Sequence, residues 1–344
     1  MSKKHRGAQS VAFEKPVYLI GRGCVGGVME GKGPLARHFD ILASDALWGE
    51  DSFEKAERKF FFEAAKKAIE KGKKSSRDID FLVGGDLLNQ IISASFSARD
   101  LDIPYLGLYG ACSSMAESLA VGSMIVDGGF ASHVLCATSS HFGAAERQFR
   151  FPLELGTPKP PTGQNTATAA GASLLSDAND LGDPGCPVIR RATIGNVVDF
   201  GVTDANNMGA AMAPAAAETI LNHLEDFSLE PDYYDKIVTG DLGTFGSELL
   251  IDLAKQVSGT DLSKVHYDCG ASLYAGLKKV YCGASGCGCS ASVLNGYLLD
   301  EMQAGRIRRI LFVATGALHS PTSAQQGESI PGIAHGVAIE RGDV

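Results

Sequence analysis

An α/β fold built from two similar halves is predicted by three features of the sequence. Short apolar runs alternate with helical patterns along the chain, which is typical of a sheet covered by helices. The 41 glycines are spread through the apolar segments, as tight turns between strands and helices require. Finally, a set of residues in the first half recurs in the second half at the same spacing.

The clearest single elements lie early in the chain. Residues 53–71 place apolar side chains at helical spacing, with lysines on the opposite face, and so predict a helix. Residues 78–86 form an apolar run that ends in two glycines and an aspartate, which predicts a buried strand. Alternating units of this kind predict a mainly parallel sheet.

The internal repeat centres on two cysteines. Gly128 follows Cys112 by 16 positions, as Gly305 follows Cys289. A threonine then follows each of these glycines by 10 positions. Generic strand–helix units can resemble one another, but two matched spacings favour a duplication of one ancestral half.

A second pair of matched positions marks the ends of strands. Asp86 ends a predicted strand of the first half, and Asp241 ends its counterpart in the second. An aspartate at such a place commonly caps a turn or a helix, although these two could also line a site. We place the halves at 1–180 and 181–344, joined by a segment rich in turn residues.

Composition argues against several classes of function. The formal net charge of −9 argues against nucleic-acid binding, because phosphate contacts need a basic field. No stretch is apolar enough to span a membrane and no signal-peptide pattern is visible, so we expect synthesis in the cytosol and only peripheral contact with a membrane. The eight cysteines are too few for a disulfide scaffold. Oxygen-ligand loops and zinc-type Cys/His pairs are not evident, so we expect neither metal nor cofactor.

The turn GACSS at 110–114 places Cys112 immediately before a predicted helix. The amides at the start of that helix could stabilise a thiolate or hold an anionic ligand. A free cysteine in such a turn can equally be a small, buried apolar residue. These residues alone leave both interpretations open.

This turn, in a duplicated chain, resembles the thiolase superfamily, whose condensing enzymes acylate the corresponding cysteine. The resemblance implies a thiolase-like αβαβα five-layer sandwich. Those enzymes add a histidine and an asparagine, or two histidines, from the second half, whereas the matching turns here offer Asp241 and Cys287. A carboxylate would oppose the negative charge that develops during condensation. We therefore expect no catalytic residue and no enzymatic activity.

Longer motifs are similar to one family, the stage V sporulation protein AD family of spore-forming bacteria. They are GGDLLNQ at 84–90, ATSSH at 137–141, AERQFRFP at 145–152, MAPAAA at 212–217, SGCGCS at 285–290 and IAHG at 333–336. This resemblance implies binding of dipicolinic acid (pyridine-2,6-dicarboxylate), either free or as its calcium chelate. It also implies other subunits of a spore membrane complex as partners, at the forespore or spore inner membrane. The superfamily resemblance implies a homodimer.

A flat dianion needs cationic or amide donors for its carboxylates and an apolar slot for its ring. The segment after the predicted strand at 134–138 is the richest source of donors. There His141, Arg147 and Arg150 lie within ten residues. His141 could donate a hydrogen bond, and Arg147 could bind a carboxylate in bidentate fashion. From the second half, His319 or His335 could also reach the pocket. The predicted ligand-binding residues are Asp86, Cys112, Ser140, His141, Arg147 and Asp241.

Alternatives stay open for these residues and for the chain as a whole. Arg147 and Arg150 could each instead form a surface or subunit-interface ion pair with Glu146 or Glu154, and His141 could make a structural hydrogen bond. The protein could be a condensing or acyl-transfer enzyme that uses Cys112 with unusual partners. It could also be a structural subunit whose pocket no longer binds a ligand.

Overall fold

Strands and helices alternate along the residues that the computed structural model describes, which are 3–150, 153–156 and 158–343. The strands are β1 (His5–Arg6), β2 (Ser10–Gly26), β3 (Ile41–Leu42), β4 (Phe81–Asp86), β5 (Tyr105–Gly107), β6 (His133–Ser140), β7 (Asn165–Thr166), β8 (Ala169–Ser176), β9 (Pro187–Thr193), β10 (Lys236–Thr239), β11 (His266–Asp268), β12 (Ala284–Ser285), β13 (Arg309–Ala317) and β14 (Gly332–Arg341). The α-helices are α1 (Phe53–Lys71), α2 (Ile92–Leu101), α3 (Ser114–Asp127), α4 (Phe142–Phe149), α5 (Met208–Asp226), α6 (Gly243–Ser258), α7 (Cys269–Leu273), α8 (Cys287–Val293), α9 (Leu299–Gln303) and α10 (Pro321–Gln325).

The strand order confirms that the fold consists of two similar halves. The main path of the large sheet runs β11-β10-β13-β14-β9-β2-β8-β6-β4-β5. Starting from the centre, the first half contributes β2, β8, β6, β4 and β5, and the second half contributes β9, β14, β13, β10 and β11. Both halves therefore place their successive strands in the same order. The antiparallel pair β2–β9 joins them.

The expectation of a mainly parallel sheet is wrong, because five of the nine strand pairs on the main path are antiparallel. The parallel pairs on the main path are those among β5, β4 and β6 and among β11, β10 and β13. The remaining pairs on this path are antiparallel. Strands β8 and β14 cause the difference, since each doubles back beside β6 or β13 instead of crossing over the sheet.

Helix packing completes the five layers. Helix α1 covers the predicted residues Phe53–Lys71, and the Ser52 side chain caps it by accepting from the Lys55 amide. Its buried Phe60 and Phe61 pack beneath the first-half strands, and burial of each ring contributes about 2–3 kcal/mol. Helices α1 and α2 contact first-half strands, α5 contacts mainly second-half strands and pairs with α6, and α3 lies between strands of both halves.

Candidate functional site

The turn that carries Cys112 connects β5 to α3. Ala111 opens this turn in the left-handed backbone region, with φ at +51°, a conformation that costs an alanine about 1–2 kcal/mol. The hydroxyls of Ser113 and Ser114 donate to the carbonyl oxygens of Gly110 and Ala111, respectively. The amides of the same two serines donate to these two carbonyls as well. Both amides are therefore paired within the turn and do not serve a ligand.

Asp241 brings the second half of the chain to this cysteine. It follows β10, and its side chain is fully buried. The carboxyl group accepts from the Gly286 amide at 2.8 Å and from the Thr315 hydroxyl at 2.9 Å, and Cys112 lines the same cavity beside it. Burial raises the pKa of Asp241 to about 7, although these hydrogen bonds oppose the change. Its carboxyl group is thus balanced between the protonated and ionised forms at neutral pH.

The surroundings of Cys112 disfavour the thiolate form of its side chain. Burial raises its pKa well above the usual value, and the neighbouring Asp241 and Cys287 add to this effect. A catalytic thiol needs the opposite change, because the thiolate is the form that attacks. The side chain that would form the third member of a catalytic group, Cys287, is itself buried and donates to the Ser139 carbonyl at 2.9 Å.

Cys112 and Asp241 line a narrow cavity between the two halves. Its empty volume is about 520 Å³ when the open mouth is included, and the centre of a water molecule can occupy about 60 Å³ of it. The larger apolar side chains of its walls are Leu87, Tyr109, Phe149, Met208 and Met212. A slot of this kind suits a small planar ligand better than a bulky one.

A buried ion cluster forms one wall of the cavity. The Glu146 carboxylate lies 2.5 Å from the Arg150 guanidinium and 2.9 Å from the Lys159 ammonium group. It also accepts from the amide and hydroxyl of Thr166. Burial alone would raise the pKa of Glu146, but the two cations hold it below the usual value. Burial and the charge of Arg150 lower the pKa of Lys159 to about 8, so most of it is still protonated at neutral pH. Two cations therefore share one carboxylate, which leaves one net positive charge.

His319 lines the same cavity from the loop after β13. Its Nε2 lies 3.2 Å from the Phe149 carbonyl oxygen, so this nitrogen carries a hydrogen. Its Nδ1 is buried and has no partner among the described residues. Burial lowers the pKa of His319, and the charge of Arg150 contributes. An unpaired buried nitrogen at a cavity wall indicates a place for a polar group of a ligand or for water.

Comparison with known proteins assigns the chain to a family. The family model described as stage V sporulation protein AD (SpoVAD) matches residues 7–340. The chain belongs to the SpoVAD family. A relative with the same description from Bacillus subtilis is 44% identical to this SpoVAD chain over 338 residues, which cover 98% of each protein.

Solved structures of condensing enzymes share the fold of this SpoVAD chain. For 3-oxoacyl-[acyl-carrier-protein] synthase III from Aquifex aeolicus, the TM-score is 0.56 at 12% identity, over 94% of this chain and 99% of the other. For a variant of OleA from Xanthomonas campestris, the TM-score is 0.61 at 14% identity, over 96% and 99% of the two chains. At these identities the similarity shows the fold alone. It confirms the thiolase-like sandwich.

Two of the predicted binding residues of this SpoVAD chain, His141 and Ser140, lie outside the cavity and have structural roles. The buried His141 binds the Ala46 carbonyl through Nε2 at 2.7 Å, and its Nδ1 accepts from the Gly143 amide at 3.0 Å. The Ser140 hydroxyl donates to the Ala167 carbonyl at 2.7 Å. Both ring nitrogens of the histidine are therefore used in fixing the start of α4. The structural alternative holds for His141.

Arg147 also lies outside the cavity. Its guanidinium is 2.7 Å from the Glu54 carboxylate, and its side chain is 46% exposed. The guanidinium also lies over the ring of Phe53. The ion-pair alternative therefore holds, but the partner is Glu54, which belongs to α1, rather than an acid near Arg147 in sequence.

The matched aspartates of the SpoVAD chain have different environments. Asp86 is buried and accepts from the amides of Leu88 and Ala94, so it fixes the chain between β4 and α2 and does not line the cavity. Asp241 occupies the equivalent strand end but faces the cavity. The structure thus brings together only Cys112 and Asp241 of the six predicted residues.

The cavity also contains side chains outside the predicted six, among them Glu146, Arg150 and His319. Arg150 is one of the candidate donors from the sequence, and its ion-pair alternative holds, because it pairs with Glu146 four residues earlier on the same face of α4. Of the two second-half histidine candidates, His319 lines the cavity. Among the described residues, no group of three or more His, Cys, Asp or Glu side chains is placed to hold a metal ion.

Proposed function

We propose that this protein binds dipicolinic acid in the cavity beside Cys112 and Asp241 without transforming it. The observation that carries the proposal is the charge imbalance at the cavity wall, where Arg150 and Lys159 share the single carboxylate of Glu146. In a chain of net charge −9, a buried surplus of positive charge is costly unless an anion compensates it. A carboxylate of the ligand would bind at Arg150, which lines the cavity.

The apolar walls suit the ring of such a ligand. Tyr109 and Phe149 provide aromatic surfaces, and Met208 and Met212 provide flexible thioethers that adapt to a flat edge. Dipicolinate also offers a second carboxylate and a ring nitrogen as acceptors. The unpaired Nδ1 of His319 could meet one of these groups by donating a hydrogen bond when it is protonated.

Two features support binding without catalysis. The raised pKa of the Cys112 thiol keeps it un-ionised at neutral pH. Asp241 and Cys287 stand where the resembling enzymes use histidine or asparagine, so proton transfer and oxyanion stabilisation lack their usual groups. The competing proposal, an acyl-transfer enzyme, predicts a thioester on Cys112.

For its setting, we propose a peripheral subunit of a spore membrane complex. No helix of the described residues is long and apolar enough to cross a membrane, so contact with the membrane would be made through partner subunits or at its surface. We also propose a homodimer that pairs along β5, which ends the main path of the sheet and carries the 45% exposed Leu106. Light scattering of the wild type and a Leu106→Lys variant would test the dimer.

Calorimetric titration with dipicolinate tests the binding proposal. Arg150→Met should weaken binding by about 10- to 100-fold, because a charge-assisted hydrogen bond is worth about 1.5–3 kcal/mol. Arg147→Met is the matched control, since this arginine lies on the same helix but pairs with Glu54 at the surface. It should bind like the wild type. Equal effects of the two variants, or no binding by the wild type, would contradict the proposal.

A second measurement separates binding from catalysis. After incubation with acyl-CoA, the intact protein should keep its unmodified mass. An adduct on Cys112 that turns over to product would support the acyl-transfer enzyme instead. A protein that binds neither dipicolinate nor an acyl group would be the structural subunit.

A further inference from the structure

The two carboxyl groups that line the cavity are stabilised in opposite ways. Glu146 has two cations and two neutral donors around it. Asp241 has the Gly286 amide and the Thr315 hydroxyl as donors, and no Lys or Arg of the described residues forms an ion pair with it. The charge of Glu146 is thus compensated within the protein, whereas that of Asp241 is not.

A dianionic ligand makes this difference important. One carboxylate is compensated by the surplus cation at Arg150, but the second would share the cavity with Asp241. If Asp241 stayed ionised, two like charges would meet in a poorly hydrated space, which is strongly unfavourable. If Asp241 carries a proton, its O–H becomes a donor and the pair becomes a short, strong hydrogen bond.

Resting on the proposed function, we infer that Asp241 is a specificity-determining residue. In its protonated form it donates a hydrogen bond to the second carboxylate of the ligand, so that ionised Asp241 takes up a proton from solution on binding. The residue thereby selects dicarboxylates over monocarboxylates that lack the second acceptor. The proton comes from the solvent and bonds to a carboxyl oxygen of Asp241, and no other bond changes.

The groups around Asp241 are compatible with this assignment. From the strands and turns packed against it, the titratable neighbours are Cys112, Asp268, Cys269, Cys287 and Cys289. Their thiols stay neutral because burial raises each pKa, and the charge of Asp268 favours protonation of Asp241. Tyr109, Glu146, Arg150, Lys159 and His319 are the other charged or titratable groups around the cavity among the described residues. With a pKa of about 7, Asp241 gains its proton at little cost near neutral pH.

Calorimetry in two buffers with different heats of ionisation counts the protons. At about pH 7.5, roughly three-quarters of Asp241 is ionised before binding, so dipicolinate should take up about three-quarters of a proton at this residue. Asp241→Asn should lose this share of the uptake, whatever its affinity. Proton uptake at Lys159 and at His319 is measured in the same way, as the part of the uptake that is lost in Lys159→Arg and in His319→Asn.

Thr315→Val provides a second test that keeps the aspartate. It removes the 2.9 Å hydrogen bond to the Asp241 carboxylate, so Asp241 should be more protonated before binding and the uptake should fall. Proton uptake that is the same in the wild type, Asp241→Asn and Thr315→Val would overturn the inference while leaving dipicolinate binding intact. Absence of any binding heat with the wild type would overturn the proposed function itself.

A ligand series tests the claim of specificity. Isophthalate keeps both carboxylates at the same angle, whereas picolinate keeps the ring nitrogen and only one carboxylate. Isophthalate should take up the proton and picolinate should not. Uptake of the same size with picolinate would contradict a role for the second carboxylate.

Discussion

Cys112 and Asp241 line the same cavity, and the charge of Asp241 raises the pKa of the Cys112 thiol, although the two residues belong to different halves of the chain. In an enzyme that uses a nucleophilic cysteine, the partner of the thiol would be a base or a cation that favours the thiolate. A buried carboxyl group instead disfavours the thiolate, because its own negative charge makes a second negative charge nearby more costly. The Asp241 carboxyl group therefore disfavours the thiolate form of Cys112.

Slow alkylation of Cys112 is the first expected consequence. With its raised pKa, the thiol should react with iodoacetamide at about pH 8 at least tenfold more slowly than the same residue in the unfolded chain, whose pKa is about 8.5. Peptide mass spectrometry measures the rate. Asp241→Asn should increase the rate, since it removes the adjacent charge. Equal rates in the folded and unfolded chains would contradict the raised pKa.

The stability of the protein should depend on pH through Asp241. Its pKa is about 7 in the folded chain and about 3.9 in an unfolded one. Between these values the folded state binds more protons, so the free energy of unfolding falls as pH rises, by up to about 1.4 kcal/mol per pH unit. Asp241→Asn lacks this loss and should gain stability relative to the wild type from about pH 5 to pH 7.

Urea unfolding at several pH values measures this difference. The comparison must be between variant and wild type, because the buried Asp86 and Asp268 also have raised pKa values and titrate in both proteins. Asp86→Asn serves as a control at the matched strand end. The difference in free energy of unfolding between this variant and the wild type should stop changing at about pH 6. A difference for Asp241→Asn that does not vary with pH would show that Asp241 is ionised throughout.

Helix α4 shows what could be predicted of the site from sequence and what could not. The motif AERQFRFP identified the correct segment, since it contains Arg150 as well as Arg147. Donor chemistry alone does not distinguish two arginines. The distinction comes from packing. Glu146 faces the interior with 4% exposure and forms an ion pair with Arg150, whereas Arg147 lies at the surface.

The repeat was the more dependable guide to the fold. Matched spacings around Cys112 and Cys289 predicted two halves, and the strand order repeats accordingly. The antiparallel return of β8 and β14 could not be predicted, because strand direction is set by long-range pairing and not by the local pattern. For the same reason the sequence did not distinguish His319 from His335 as the donor from the second half, and the structure places His319 at the cavity, where it meets Phe149 from 170 positions away.

Loss of His141 should affect stability and not binding. Its two ring nitrogens bond to Ala46 and Gly143, and its ring stacks on Phe53. His141→Ala should therefore lower the free energy of unfolding by about 2–4 kcal/mol through a lost hydrogen-bond network and a cavity. Calorimetry at a temperature where the variant is still folded should give wild-type affinity for dipicolinate. A large loss of affinity at unchanged stability would place His141 at the ligand after all.

Replacement of Glu146 should separate stability from affinity most clearly. Glu146→Gln leaves Arg150 and Lys159 without their shared carboxylate, so the free energy of unfolding should fall by about 3–5 kcal/mol. The same change increases the positive charge at the cavity wall, and dipicolinate should bind about tenfold more tightly, with a steeper dependence on salt. Glu54→Gln is the control, because it removes the partner of Arg147 at the surface and should change stability by less than about 1 kcal/mol. Weaker binding by Glu146→Gln, with Glu54→Gln unchanged, would mean that the surplus cation is not what attracts the ligand.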